Sequence, residues 1–484
     1  MTVTRPTTRS ASAETGVLID GEWQRTRATF PVRDKFTGEV LAELAQAAPE
    51  QVAEAVTVAS RASRVPLPPA DRERILRRAA ELVADRAVDL RETYVAETGF
   101  TPADADGEIA RTAELFRLCS GEAVRVAGEQ VPVEATPGSE HRLAFTIRVP
   151  VGVVGAIAPF NAPLSTVVHK VGPAIAAGNA VVLKPAEQTP LSALAVARIL
   201  LDAGLPAGLL QVVCGPGETT GDALVRDSRI RFFTFTGSTA VGRRIKAASG
   251  LARLHLELGS NSASIVAADA DLDLVARLVR RAGFRKAGQV CTSVQRLLVD
   301  RRVADELAER LSRAVAELRA GDPRDPATDV GPLIDAAEAR RAGDWVAEAG
   351  GAVVGGAVDG AVLRPALVVD PAPGSRLLEH EAFAPVVALV PVDGPDEAAR
   401  IVDEGPYGLQ TGVFTRDLDR AFHLARTLRV GGVIVNDTSS YHADLMPYGG
   451  VKDSGLGVEG PRYAVQDMTD PKIIVLNLRR PEDS

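Results

Sequence analysis

Between residues 148 and 249 the chain repeats one device four times. A short apolar run meets a Pro- or Gly-bearing turn and leads into apolar residues at three- and four-residue spacing. The segments are "RVPVGVVGAIAPF" (148–160), "NAVVLKPAEQTP" (179–190), "LLQVVCGPG" (209–217) and "IRFFTFTGSTAVGRRIKAAS" (230–249). Continuous Val-rich runs of this length are strands buried on both faces, the kind found in parallel sheets with helical crossovers. The pattern predicts a doubly wound α/β domain, with ligands at the C-terminal ends of its strands. A second series follows: "SASIVAA" (262–268), a helix over 271–287, "QRLLVD" (295–300), a helix over 302–319, then "AVVGG" and "VVALVPV". It predicts a second α/β domain. Upstream, residues 50–64 and 70–98 read as helices.

At 484 residues the chain is too long for one simple core. Two segments have no evident home. "GEQVPV" (128–133) with "RLAFTIRVP" (142–150) reads as a hairpin, and "PKIIVLNLR" (471–479) as a lone strand. Another subunit or an edge of the same chain would satisfy them equally. The first sixteen residues, rich in Arg, Ser and Thr, are expected to be a disordered tail.

A net charge of -8 argues against nucleic acid or an acidic membrane surface as partner. No apolar run approaches the ~20 residues of a membrane span. The three cysteines, Cys119, Cys214 and Cys291, make no disulfide framework, and their odd number suits a reducing compartment such as the cytoplasm. None of the six histidines has metal-ligand spacing, so no metal is expected.

Individual motifs carry chemistry but stay ambiguous alone. Cys291, in "GQVCTSVQR", is either a small buried hydrophobe or a nucleophile. Gly237 and Ser238, where a strand meets a helix, make either a pyrophosphate site or a plain helix cap. Lys184 and Glu187 end another strand, where an ammonium and a carboxylate suit ribose hydroxyls or simply solvent. In "LHLELGSNS" the alternation puts His255 and Glu257 on one side. A strand-end carboxylate in apolar surroundings gains proton affinity and suits a general base. Asn161, in "APFNAPLS", is an oxyanion donor or a turn former.

Their order is more specific. "PFNAP", "KPAEQTP", "FTGSTAVG", "LELG", "GQVC", "EAFAP" and "MPYGGVKDSGLGVEG" together resemble the NAD(P)-dependent aldehyde dehydrogenase superfamily, over roughly residues 17–480. The resemblance implies two doubly wound α/β domains plus a small β oligomerisation element. Residues 17–122 and 148–258 would bind the dinucleotide, 259–440 would form the catalytic domain, and 123–147 with 470–484 would join subunits. A homodimer or homotetramer is expected, with the tail strand joining a neighbour's sheet.

The resemblance also implies roles. Cys291 would attack the aldehyde, Asn161 would hold the oxyanion, and Glu257 would activate water to release the acid. Pro159, Phe160, Lys184, Glu187, Gly217, Gly221, Gly237, Ser238, Val241, Leu258, Glu381 and Phe383 would bind the cofactor. NAD is expected over NADP, because a 2′-phosphate would meet the Glu187 carboxylate. Ser260 and Asn261 after "LELG" depart from the commonest pattern and point to the branch of lactaldehyde and phosphonoacetaldehyde dehydrogenases. Arg111, Val290, Thr292 and Tyr441 are the candidate substrate residues. Some anion-handling relatives have an Arg before the nucleophile and a His after the Asn. Here Val290 and Ala162 stand there, so a more apolar pocket is expected. Two rivals are a CoA-acylating dehydrogenase, against which Glu257 argues, and a catalytically silent binding protein, against which Cys291, Asn161, Glu257 and Lys184 argue together.

Overall fold

A computed structural model describes residues 16–478. Nearly all of the expected N-terminal tail, residues 1–15, and the last six residues lie outside the described residues.

The four strand–turn–helix segments form the middle of an eight-stranded sheet. Its spatial order runs 22–24, 17–19, 210–213, 180–184, 153–157, 232–236, 253–257 and 455–456. The five central strands are parallel, and both edges are antiparallel. Val153–Ile157 is flanked by Ala180–Lys184 on one side and Phe232–Thr236 on the other. The winding reverses there, and a crevice opens beyond the strand ends at such a point. The 158–161 loop leaves the sheet at that position.

The second series forms a seven-stranded sheet in the order 352–354, 366–369, 386–392, 296–300, 263–266, 410–414, 432–435. Only the 352–354 edge runs antiparallel. Strands Val153–Ile157, Ala180–Lys184 and Arg296–Asp300 are buried at every residue, as strands covered by helices on both faces must be.

Two expectations change. Residues 70–98 are two helices, Pro69–Asp85 and Ala87–Thr98, because Arg86 leaves helical geometry at φ -106° and ψ 17°. The helix expected to reach 287 ends at Phe284, for a reason given below. The tail strand Thr469–Asn477 pairs antiparallel with Arg142–Pro150 of its own chain along its whole length, and Gln130–Val131 completes a three-stranded sheet. Nine consecutive residue pairs satisfy one edge of its backbone. It lies at the edge of that sheet, and its other edge pairs with no strand among the described residues. Among the described residues no helix is long and apolar enough to cross a membrane.

Candidate active site

Helix Leu272–Phe284 starts at an Asp271 cap and buries Val275, Val279 and Phe284. Then Lys286, Ala287 and Gly288 all take left-handed backbone, with φ of 52°, 53° and 68°. Non-glycine residues pay about 1–3 kcal/mol each for this geometry, so the surroundings must enforce it. Lys286 Nζ donates to Glu108 Oε2 at 2.8 Å and to Asn161 O at 3.2 Å. Glu108 in turn accepts from Ser165 N and Oγ. The Lys286 ammonium lies 5.7 Å from the ring centres of Tyr94 and Phe100. At Gly288 a Cβ would stand 2.0 Å from Ala384 O, so only glycine fits. This anchored turn stops the helix and carries Cys291 into a cavity of about 870 Å³.

Cys291 Sγ lies 2.9 Å from Tyr448 Oη. Burial pushes the thiol up to about 11, and the tyrosine hydrogen bond opposes that rise. Cys119 and Cys214 are fully buried and pushed higher still. Asn161 reaches the same turn, its Nδ2 donating to Gln289 O at 2.8 Å. The Cys291 N–H donates to no acceptor among the described residues. Asn161 and Cys291 both line the cavity, each with an N–H donor at the turn that carries the sulfur.

Glu257 ends the strand Arg253–Glu257, held between Thr236 and Gly455. It is buried and lines the Cys291 cavity. Neither carboxyl oxygen has a hydrogen-bond partner among the described residues. Burial, reinforced by the nearby Glu459 charge, pushes its pKa well above the usual carboxylate range. Burial works to raise Glu459 as well, yet Lys170 brings it down to about 2. Lys170 Nζ sits 2.9 Å from Glu459 Oε1 and 2.7 Å from Thr236 Oγ1. An unpartnered carboxyl with high proton affinity beside a thiol is the arrangement of a general base.

Arg111, Val290 and Thr292 line the cavity, but Tyr441 does not: its side chain is half exposed and its neighbour His442 faces inward instead. Arg111 grips Asp444, Nη2 to Oδ1 at 2.7 Å and Nε to Oδ1 at 2.9 Å. Burial and then Arg111 push His442 down to about 3, so it is neutral. The apolar pocket expected from Val290 and Ala162 is in fact lined by several charged groups.

The expected cofactor residues gather along the strand ends of the first sheet. Lys184 Nζ is buried, 3.4 Å from Glu187 Oε2. At Gly221 a Cβ would sit 3.5 Å from Lys184 Cε, and Gly217 has open space beside it. Ser238 caps the helix Thr239–Ala248, its Oγ accepting from Val241 N. The helix-cap reading of Ser238 is the one seen here, and a cap leaves other first-turn N–H groups free. Gly237 lies so close to the Phe235 ring that a Cβ would stand 2.5 Å from it, and at Gly242 one would stand 2.4 Å from Leu258. These approaches bring helix and backbone close enough to cradle a pyrophosphate. Burial pushes Glu381 up to about 7, and its Oε1 accepts from Ser260 N. Phe383, at φ 48°, packs edge-on against Phe160 with ring centres 5.8 Å apart. Pro159 stands half-buried just before Phe160. The donor set suits a dinucleotide: anion-binding N–H groups, a Lys–Glu pair for ribose and a second carboxylate. Among the described residues no cluster could hold a metal ion.

Sequence reasoning missed Tyr448, Lys170, Glu459, Glu108, Lys286 and Arg285. Tyr448 and Glu459 lie inside the quoted "MPYGGVKDSGLGVEG", whose backbone folds back so that they bond to each other. The remaining four depend on partners too distant along the chain for any local pattern.

The profile of the Aldehyde dehydrogenase family matches residues 23–474. A 3-sulfolactaldehyde dehydrogenase of Priestia megaterium is 45% identical over 467 residues, covering 96% of this chain and 98% of that protein. A lactaldehyde dehydrogenase of Methanococcus vannielii is 34% identical, covering 95% and 100%. The crystal structure of an NADP-dependent glyceraldehyde-3-phosphate dehydrogenase from Bacillus halodurans, complexed with NADP, superposes with a TM-score of 0.94 at 35% identity, covering 96% and 100%. With this fold and this match along nearly its whole length, the chain belongs to the aldehyde dehydrogenase family and is an enzyme that oxidises small aldehydes.

Proposed function

We propose that Cys291 is the nucleophile and Glu257 the base of a hydrolytic, nicotinamide-dependent oxidation of a short 2-hydroxyaldehyde to its acid. One observation carries this reading: a buried, unpartnered carboxyl and a half-buried thiol share one cavity. The Cys291 thiol loses its proton to solvent, and its sulfur bonds to the carbonyl carbon. Asn161 Nδ2 and the Cys291 N–H then hold the oxyanion. The chemistry a dinucleotide supplies when bound is acceptance of a hydride, which leaves the adduct on Cys291 as a thioester. Glu257 takes a proton from water, the hydroxide adds to the thioester, and the C–S bond breaks to release the acid. The proton on Glu257 then passes to solvent, which returns the carboxylate for the next cycle.

Lys184 and Glu187 would hold the adenosine ribose, Gly217 and Gly221 the adenine side, Gly237, Ser238 and Val241 the pyrophosphate, and Leu258, Glu381, Phe383, Pro159 and Phe160 the nicotinamide end. Glu187 favours NAD, because its carboxylate would repel a 2′-phosphate. The names of the Priestia and Methanococcus relatives support the substrate class, since 3-sulfolactaldehyde and lactaldehyde share a 2-hydroxyaldehyde end. The exposed apolar side chains Ile473, Val475, Leu143 and Ile147 on the three-stranded sheet support a homodimer or homotetramer. Sedimentation after deletion of residues 470–484 checks that, and an unchanged assembly contradicts it.

The direct experiment is oxidation of both aldehydes by the purified protein with NAD and NADP, with and without CoA. Free acid and reduced cofactor in equal amounts without CoA are expected. A requirement for CoA, with acyl-CoA as product, contradicts water as the acceptor.

A further inference from the structure

The turn between strands Thr29–Arg33 and Val40–Ala45 reaches across to the loop that follows strand Ala180–Lys184. Lys35 Nζ donates to Arg33 O and to Gln188 O, each at 2.7 Å. Gln188 lies 153 positions further along the chain and directly follows Glu187. An ammonium has three N–H donors, and two of these are spent on backbone carbonyls of two separate segments. The side chain is half-buried beside a cavity of about 530 Å³ that Glu187 and Asp335 also line. Burial lowers the proton affinity of Lys35, and the charges of Glu97, Asp34 and Asp335 oppose that fall. A cation near three carboxylates keeps its charge, and a charged donor makes the stronger hydrogen bond.

The base of this tether is rigid. Asp34 Oδ1 accepts from Phe36 N at 2.9 Å and from Thr37 N at 2.8 Å, and Oδ2 pairs with Arg324. The loop it reaches is fixed at both ends. Strand pairing holds Leu183 and Lys184. At the other end Thr189 Oγ1 donates to Phe160 O at 3.0 Å. Buried Glu97 accepts from Leu191 N and Ser192 N, each at 2.7 Å, and so closes the start of helix Pro190–Asp202. Between these ends run Pro185, Ala186, Glu187 and Gln188, and the last two are at least partly exposed. A surface loop of this kind moves unless a group outside it holds its backbone, and Lys35 is such a group.

We propose that Lys35 is a positioning residue for the cofactor: by holding Gln188 O it sets the backbone of Glu187, so that the carboxylate is in place for the adenosine ribose before the dinucleotide arrives. This rests on the reading of Lys184 and Glu187 as the ribose site given above. Lys35 acts through Gln188 and not by contact with the reacting groups. Its contribution is preorganisation, since a loop already ordered by the fold does not have to be ordered on binding. The effect falls on affinity for the adenosine half of the dinucleotide and not on the chemical steps, because Cys291, Asn161 and Glu257 stand on other elements.

The test compares Lys35→Met with wild-type protein. Without cofactor, hydrogen exchange of the peptide spanning 185–191 should quicken in the variant, while peptides around Glu257 and Cys291 stay unchanged. Calorimetry with NAD and with ADP-ribose, which keeps the adenosine ribose and lacks the nicotinamide, should show both weakened by about 3–10-fold, the scale of ordering one side chain or loop contact. The loss in turnover should lie in the KM for NAD, with kcat at saturating NAD retained. Lys35→Arg, which keeps the charge and the donors, should recover most of the affinity. Lys35→Gln, which lacks the charge, gives the same readouts where Lys35→Met does not fold. Unchanged exchange at 185–191 overturns the inference. So does a loosened loop with unchanged NAD affinity in Lys35→Met when Lys184→Met weakens NAD. A fall in kcat with KM unchanged also overturns it and makes Lys35 a structural strut. Unchanged NAD affinity in both Lys35→Met and Lys184→Met sinks the ribose reading itself.

Discussion

Cys291 Sγ and Tyr448 Oη are 2.9 Å apart, and Tyr448 exchanges backbone hydrogen bonds with Glu459 on the wall of the same cavity. The hydroxyl therefore acts on the sulfur from a fixed position. His442 packs edge-on against the Tyr448 ring at 4.7 Å and keeps it there.

Removing that hydroxyl has a defined sign. Tyr448 stabilises the thiolate by donating to it, so Tyr448→Phe should raise the Cys291 pKa above its value of about 11. Each unit of rise leaves about tenfold less thiolate at a given pH below it. Iodoacetamide labelling of Cys291, followed against pH, should shift to higher pH in the variant and slow at pH 8. An unshifted profile would show that the hydroxyl does not tune the thiol.

The left-handed turn before Cys291 hangs on Glu108. Glu108→Ala would leave the buried Lys286 ammonium facing two aromatic rings with no carboxylate. Breaking a buried pair on one side costs about 3–5 kcal/mol. Urea unfolding should report a loss of that order, and Glu108→Gln, which keeps the hydrogen bonds, should lose less. Equal stability of Glu108→Ala and wild type would mean the pair does not hold the turn.

Glu187 sits 3.4 Å from Lys184 and is partly exposed. Glu187→Ser removes the negative charge and leaves the Lys184 ammonium available to a phosphate. The ratio of kcat/KM for NAD over NADP should fall in the variant. A wild-type enzyme that uses both cofactors equally would contradict the assignment.

Much of this architecture was legible in local sequence. Val-rich runs ending at Pro or Gly located the central parallel strands, and each of Cys291, Asn161, Glu257 and Lys184 was visible at the end of a strand or in a turn. What was hidden depends on distance along the chain. Lys170 gains meaning only beside Glu459, and Arg111 only beside Asp444. The turn at 286–288 was invisible because Lys286 and Ala287 are ordinary helix formers, and tertiary anchoring by Glu108 overrides their preference. The hairpin partner of the tail strand, Arg142–Pro150, was hidden because apolar alternation says that a strand needs a partner and not which segment supplies it.

The division of labour between Cys291 and Glu257 is tested most directly by Glu257→Gln, which keeps the shape of the side chain and removes its basicity. Hydrolysis of the thioester needs Glu257 ionised. Its pKa is raised by burial and by Glu459, so wild-type deacylation should quicken as pH rises through that value and be slow below it. The variant should lose this dependence, with deacylation slowed by roughly 10²–10⁴-fold. Rapid mixing with aldehyde and cofactor should then give one reduced cofactor per active site and stall. Intact-protein mass spectrometry should find one acyl group, on Cys291. Steady turnover at the wild-type rate, or an unmodified Cys291 after the burst, would contradict the account.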